Sequence, residues 1–178
     1  MQELPDLVAQ AQNGDKDAFG KIYNEYYLKI YKYCQFNLRD KVLAQDLVQE
    51  TFLKAWKSLN SYTDRKGGTF QAFLFKIARN LIIDNSRKKK EARLADYEEV
   101  EEHIDLEGEI DSRSDQKKMR IALEELNEVE RQIIILRYFE DLSFEEVSRV
   151  VKIKEGALRV RVHRILEKLK GILEEKND

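Results

Sequence analysis

Three arginines in one short stretch, Arg159, Arg161 and Arg164, carry the plainest chemistry of the chain. A guanidinium presents a planar fork of donors that matches phosphate oxygens and guanine edges. Lys154, Glu155, Ala157 and Leu158 precede them and His163 lies among them, so the set opens a helix at the end where a groove-binding helix touches bases. Gly156 there permits close backbone approach. The competing reading is a helical hairpin with a solvated basic face. A second set runs from Tyr62 to Lys90. Tyr62, Phe70, Phe73 and Phe75 interleave with Arg65, Lys66, Lys76, Arg79 and Arg87. Rings for stacking and cations for phosphates are what a single strand needs. The loop SYTDRKGGT, with two glycines, could fold round an extruded base, an event that costs a few kcal/mol. Phe70 and Phe73 also share an apolar stripe, so core packing competes for them. A third set, Asp46, Gln49 and Glu50, is spaced i, i+3, i+4 and shares one helix face. A carboxylate–amide patch suits the arginines of a partner; a solvated face is the plainer alternative.

Other chemistry is poorly supplied. No Walker-type glycine loop, H-E-x-x-H pattern or nucleophile–base pair is present. The ferritin-type Glu-x-x-His spacing is absent too. Two histidines and one cysteine leave little for zinc. We therefore expect no catalytic residue, no metal and no cofactor. His163 reads as a phosphate neighbour or a surface residue, and Cys34 as a small buried hydrophobe.

These sets need helices to hold them. One proline and seven glycines in 178 residues, with 42% hydrophobic residues, are too few turn signals for an all-β chain and suit a string of helices. Asp6–Asn13 reads as a short helix stopped by Gly14. Asp15 caps a second helix to about Asn37, with Phe19, Ile22, Tyr23, Tyr26, Ile30 and Tyr33 inward. A third spans about Lys41–Leu59 and a fourth about Phe70–Lys89. Further on, a helix passes through Ile121–Leu126. Asn127 with Glu130 then has capping-box spacing, and so does Ser143 with Glu146, where Leu142 and Val147 form a hydrophobic staple. A short helix Phe144–Val151, a break at Lys152–Ile153 and a long basic helix Glu155–Leu173 describe a helix-turn-helix. Val160 (or Ala157), Ile165 and Leu169 are expected to face its core.

Charge divides the chain. Arg65–Arg93 has nine basic and two acidic residues, Ala95–Asp111 has nine acidic and no Lys or Arg, and Lys152–Lys170 has seven basic and two acidic. Two cationic patches joined by an anionic connector suggest two nucleic-acid contacts on two modules, although solvated helix faces with an acidic tether would look alike. No run approaches the roughly 18 apolar residues of a membrane span. The N-terminus lacks the basic and apolar regions of a signal peptide. A lone cysteine forms no internal disulfide. A cytoplasmic protein without membrane insertion is expected.

The stretches AQDLVQETFLKAWKSLNSY and TFQAFLFKIARNLIIDNSRKKK resemble region two of bacterial sigma factors. LNEVERQIIILRYFEDLSFEEVSRVVKIKEGALRVRVHRILEKLK resembles their region four. Together with the chain length and the two-module plan, these resemble the extracytoplasmic-function group. The resemblance implies an all-α protein of two small domains: region two over 1–93, an acidic linker over 94–117, and a region-four helix-turn-helix over 118–178. It implies a transcription initiation factor and not an enzyme. Its expected partners are core RNA polymerase (clamp helices and flap), promoter DNA and an anti-sigma factor.

The resemblance also implies site roles. Asp46, Gln49, Glu50, Thr51 and Phe52 match the patch that docks on the polymerase clamp helices. Tyr62, Asp64, Arg65, Lys66, Lys76, Arg79, Asn80, Arg87 and Lys88 match residues that capture and melt the minus-ten element. Lys154, Glu155, Gly156, Ala157, Arg159, Arg161, His163 and Arg164 match the reader of the minus-thirty-five duplex. The sequence departs from the family pattern at Ser148, where alanine is usual, at Lys152 in place of the turn glycine, and at Lys154 in place of a Ser or Thr cap. Lys152 is thereby expected to adopt a left-handed backbone, at about 1–3 kcal/mol. The rival readings are a stand-alone helix-turn-helix regulator and a polymerase-binding adaptor without DNA binding.

Overall fold

The computed structural model describes residues 3–63, 68–96 and 114–175. Asp64, Arg65, Lys66 and most of the expected acidic linker lie outside the described residues. Those described form eight α-helices and no strand. The chain divides into two compact units, Met1–Ile104 and Asp105–Asp178.

In the first unit, α1 (Leu4–Gln12) begins with Pro5 in its first turn, where a missing N–H costs nothing. Gly14 follows at φ +94°, a conformation that L side chains resist. It lets the chain reverse into α2 (Lys16–Leu38), whose cap is the expected one. The Asp15 carboxylate accepts hydrogen bonds from the N–H groups of Asp17 (2.9 Å) and Ala18 (3.1 Å). Arg39 ends α2 in a left-handed conformation, and Asp40 caps α3 (Lys41–Ser58) through the Leu43 N–H at 3.0 Å. A single 3-10 turn, Leu59–Ser61, closes α3. Thr69 then caps α4 (Phe70–Asp96), its hydroxyl accepting from the Ala72 N–H at 3.2 Å. The basic tail of α4 runs past its expected end near Lys89.

Helix α2 is the spine of this unit and packs against α1, α3 and α4. Ile22, Ile30, Tyr33, Leu74, Phe75 and Ile82 are fully buried, each worth about 1.5–3 kcal/mol of burial. Phe75 meets Tyr33 edge-on at 5.2 Å. Cys34 is sealed in this core as expected, and burial pushes its thiol up to about 12. Gln12 ties α1 to the far end of α3, its side-chain amide donating to the carbonyls of Leu59 (3.0 Å) and Tyr62 (2.8 Å).

In the second unit, α5 (Ser114–Glu124) starts earlier than Ile121, where the sequence places it. Helix α6 (Glu128–Ile134) opens with the expected capping box between Asn127 and Glu130. It passes into a π-turn over Ile135–Phe139 that side-chain pattern alone does not reveal. The Ser143–Glu146 capping box opens α7 (Phe144–Val151), and the staple residues Leu142 and Val147 are both buried. Lys152 does adopt the left-handed conformation, at φ 58° and ψ 40°, before α8 (Glu155–Glu175).

Arg131 has an unforeseen task. Its buried guanidinium donates to the carbonyls of Leu123 (3.0 Å) and Leu126 (2.9 Å) at the C-terminal end of α5. The Leu123 carbonyl also accepts from the Leu126 N–H, at 3.3 Å, and a cation at a helix C-terminus interacts favourably with the dipole.

Candidate nucleic-acid and partner interfaces

On α3 the inward stripe is Ala44, Leu47, Val48, Thr51, Phe52 and Ala55. Thr51 and Phe52, both expected in the docking patch, therefore lie beneath the surface. The Thr51 hydroxyl donates to the Leu47 carbonyl at 2.6 Å, and the Phe52 ring packs against Tyr23 and Phe19. Asp46, Gln49 and Glu50 are exposed, as a docking patch requires. Glu50 holds Lys54 at 3.0 Å one turn on. Two apolar residues missed in the sequence share this face. Val42 is 69% exposed and Leu53 51%, and the series Val42, Asp46, Gln49, Leu53 keeps to one helical line. Their signal was phase: both fall opposite the stripe that buries Leu47 and Thr51. The face thus has apolar ends and an acidic middle, a surface suited to a partner that brings arginines on an apolar support.

On α4 the expected DNA residues separate into two groups. Lys76, Asn80, Arg87 and Lys88 are exposed; the first three lie near one line at i, i+4 and i+11, and Lys88 lies about 100° round the helix from Arg87. Arg87 is flanked by Asp84 (3.7 Å) and Glu91 (3.9 Å) on the same exposed surface. Arg79 differs. It is 8% exposed and turned into the unit, so its guanidinium supports the helix from within and is not displayed to a strand. The aromatics divide likewise. Phe75 belongs wholly to the core. Tyr62 is half-buried, its ring 5.1 Å from Phe70 and 4.9 Å from Phe73. Phe70 is buried and Phe73 half-buried. Core packing holds Phe70, while Tyr62 and Phe73 leave ring surface at the edge where α4 begins. Tyr62 is anchored through its carbonyl by Gln12, so the backbone leading into the loop is fixed.

The second unit holds a helix-turn-helix. The turn between α7 and α8 is tied twice, by the Ile153 N–H donating to the Ser148 carbonyl (3.2 Å) and by the Ser148 hydroxyl donating to the Ile153 carbonyl (2.6 Å). A serine in place of alanine thus adds a bond across a turn that Lys152 strains. Helix α8 buries Leu158, Val162, Ile165 and Leu169. This corrects the expected inward stripe at its first position, since Val160 is 54% exposed and Ala157 is exposed too. Leu158, set among the base-contacting positions by sequence, is core. Lys154, Gly156, Ala157, Arg159, Arg161, His163 and Arg164 are exposed and Glu155 half-buried, so the other expected reading residues keep clear of the core.

Arg159 is held in place. Its Nη2 lies 2.6 Å from Glu155, and its guanidinium stacks 4.3 Å above the Phe144 ring of α7. Arg137 covers the same ring at 5.0 Å. Phe144 is a platform that no sequence pattern singled out. Lys168 on α8 reaches Glu130 on α6 at 3.0 Å, bracing the helix at its other end. Among the described residues, no group of three or more His, Cys, Asp or Glu could hold a metal ion, and no helix is long and apolar enough to cross a membrane.

Comparison with known proteins follows this division. Residues 22–92 match the family model for sigma-70 region 2, and residues 117–169 that for sigma-70 region 4. The ECF RNA polymerase sigma factor SigW of Bacillus subtilis is 31% identical over 176 residues, covering 92% of each chain. The ECF RNA polymerase sigma factor BldN of Streptomyces coelicolor is also 31% identical over 176 residues, covering 96% of this chain; the chain spans 66% of that relative's length. Among solved structures, the sigma factor RpoE of Bartonella quintana, in complex with the anti-sigma factor NepR, matches with a TM-score of 0.67 at 25% identity. That match covers 86% of this chain and 97% of the other.

Proposed function

The chain belongs to the sigma-70 family of transcription initiation factors, in its ECF group, and from that premise we propose that it binds core RNA polymerase and directs it to promoters by reading a minus-thirty-five duplex with α8 and a melted minus-ten strand with α4 and the loop before it. Like the rest of its family it supplies specificity and no enzymatic step. The observation that carries the reading is the segregation of α8. One side is core, and the other displays Arg159, Arg161, His163 and Arg164 behind a doubly tied turn, as a helix entering a major groove requires.

The first unit supplies the other contacts. Asp46, Gln49 and Glu50 dock on the polymerase clamp, with Val42 and Leu53 as apolar ends of the same surface. Lys76, Arg87 and Lys88 neutralise the strand backbone, Asn80 offers an amide beside them, and Tyr62 offers a ring at the mouth of the loop. Arg79, Thr51 and Phe52 act from beneath, as supports of these surfaces. The domain limits 1–93, 94–117 and 118–178 follow from this division of labour. An anti-sigma partner is proposed because a similar sigma factor is bound by one. The setting is the bacterial cytoplasm, where the polymerase works.

The test is transcription by the purified chain with bacterial core polymerase on fragmented genomic DNA, sequencing the 5′ ends. Starts that need the chain and share two motifs at a fixed spacing are expected. Polymerase binding without new starts would favour an adaptor. Duplex binding without polymerase binding would favour a stand-alone regulator.

A further inference from the structure

We infer that Val160 is a specificity-determining residue, reading the C5-methyl group of a thymine in the duplex that α8 enters. The inference rests on the proposed reading of α8 and deepens it.

Helix α8 has two opposed lines. Leu158, Val162, Ile165 and Leu169 form the buried one, at i, i+4, i+7 and i+11. Gly156, Val160, His163 and Glu167 have the same spacing two residues out of phase, about 200° round the helix. Val160 is therefore at the outermost line, with Arg159 and Arg161 on its two flanks. Its 54% exposure leaves half of an apolar side chain in water, so helix packing does not explain it. It is an apolar position in the middle of an otherwise cationic display.

Valine is short. Its methyl groups reach a base edge only if the helix backbone comes close to the groove floor. The sequence clears that approach one turn earlier. Gly156 and Ala157 are exposed and carry almost nothing outward, and a Cβ on Gly156 would meet no protein atom within 4 Å. The space before Gly156 belongs to whatever the helix approaches. Two turns on, Glu167 occupies the same line with the sign that phosphates repel. The close approach is thereby confined to the first two turns, with Val160 at its centre. The Arg159 guanidinium, fixed between Glu155 and Phe144, bounds the patch on one side. Of the four base edges in the major groove only thymine presents a methyl group, and apolar contact is how it is read.

The test uses the full chain with core polymerase and the promoter duplexes it selects from a random library. Each thymine of the upstream motif is replaced in turn by deoxyuridine, which lacks only the methyl group, and affinity is measured for wild type and Val160→Ala. One position is expected at which deoxyuridine weakens wild type about fourfold, the worth of one buried methyl group, and leaves Val160→Ala unchanged. Tight selection of duplexes with no position coupled to Val160, or with no thymine in the upstream motif, overturns the inference while leaving the reading of α8 intact. Failure to select any upstream motif overturns the reading of α8 and the inference with it. Val160 touches no core, so the variant folds, and a wild-type denaturation midpoint for Val160→Ala separates lost recognition from lost structure.

Discussion

In the first unit, residues with an expected role alternate with residues that hold the bundle together. Asp46, Gln49 and Glu50 lie on the surface of α3, and Thr51 and Phe52 of the same motif lie under it. Arg79 is inside while Lys76 and Asn80, its neighbours on α4, are outside. In the second unit the two duties are separated onto opposite sides of α8, and the structural work is given to Arg131, Ser148 and Phe144 elsewhere. The difference has a physical cause. Helix α3 packs against α2 and α4, which bury Ala44, Leu47, Val48, Thr51, Phe52 and Ala55, so that its motif residues fall on both sides of the boundary. Helix α8 packs against α5, α6 and α7; between Gly156 and Lys170 it buries Leu158, Val162, Ile165 and Leu169 and leaves the rest exposed. A run of functional residues on a deeply packed helix must include supports. A run on a lightly packed helix need not.

This contrast can be broken by mutation. The largest effect is expected at Phe52. Phe52→Ala removes a ring packed on Tyr23 and Phe19 and should cost about 3–5 kcal/mol, read by urea denaturation, with polymerase binding lost in proportion to folding. Asp46→Ala combined with Glu50→Ala should cost less than about 1 kcal/mol of stability, since the Glu50–Lys54 pair is exposed. It should nevertheless weaken core polymerase binding by about tenfold or more, the equivalent of some 1.4 kcal/mol. Equal ratios of binding loss to stability loss in the two variants would erase the distinction between support and surface.

The second unit offers a parallel pair of arginines. Arg131→Met should cost about 1–3 kcal/mol, because the buried carbonyls of Leu123 and Leu126 lose the guanidinium that bridges them. Arg161→Ala should leave the denaturation midpoint in place and lower the salt dependence of promoter binding by about one unit of slope if the guanidinium meets a phosphate. An unchanged slope assigns Arg161 no phosphate. A smaller change is expected at the turn. Lys152→Gly relieves a left-handed backbone and should stabilise the unit by about 1 kcal/mol. Ser148→Ala should act in the opposite sense by a similar amount, through the bond to the Ile153 carbonyl.

A pH dependence is also expected in the first unit. Cys34 keeps its proton in the folded state up to about pH 12, whereas the exposed thiol ionises near 9. The folded form therefore binds more protons between these values, and stability should fall as pH rises above 9. Comparing urea midpoints at pH 8 and 10.5 for wild type and Cys34→Ala isolates the thiol from other groups that titrate there. The slope of the variant should be shallower.

Much of the fold was legible because its signals act within four residues. Asp15, Asn127 and Ser143 cap the helices that follow them, and a cap needs only the N–H groups of the next turn. The left-handed Lys152 was legible through the resemblance, because it stands where the family carries its turn glycine. Charge runs and the two-module plan were equally open to reading, being sums over sequence. The inner and outer faces were less so. Period gives a stripe but not its phase when apolar residues lie on both sides of a helix, as Leu158 and Val160 do. Phase is decided by which neighbouring helices cover it. The fold of the first unit determined that Arg79 points in and Asn80 out. The return of the chain after α5 determined that Arg131 closes a helix end eight residues away. The sequence by itself determined where helices start, where charge gathers and which family the motifs resemble. Only the tertiary structure decided which side of each helix meets water, because that depends on surfaces brought together from distant parts of the chain.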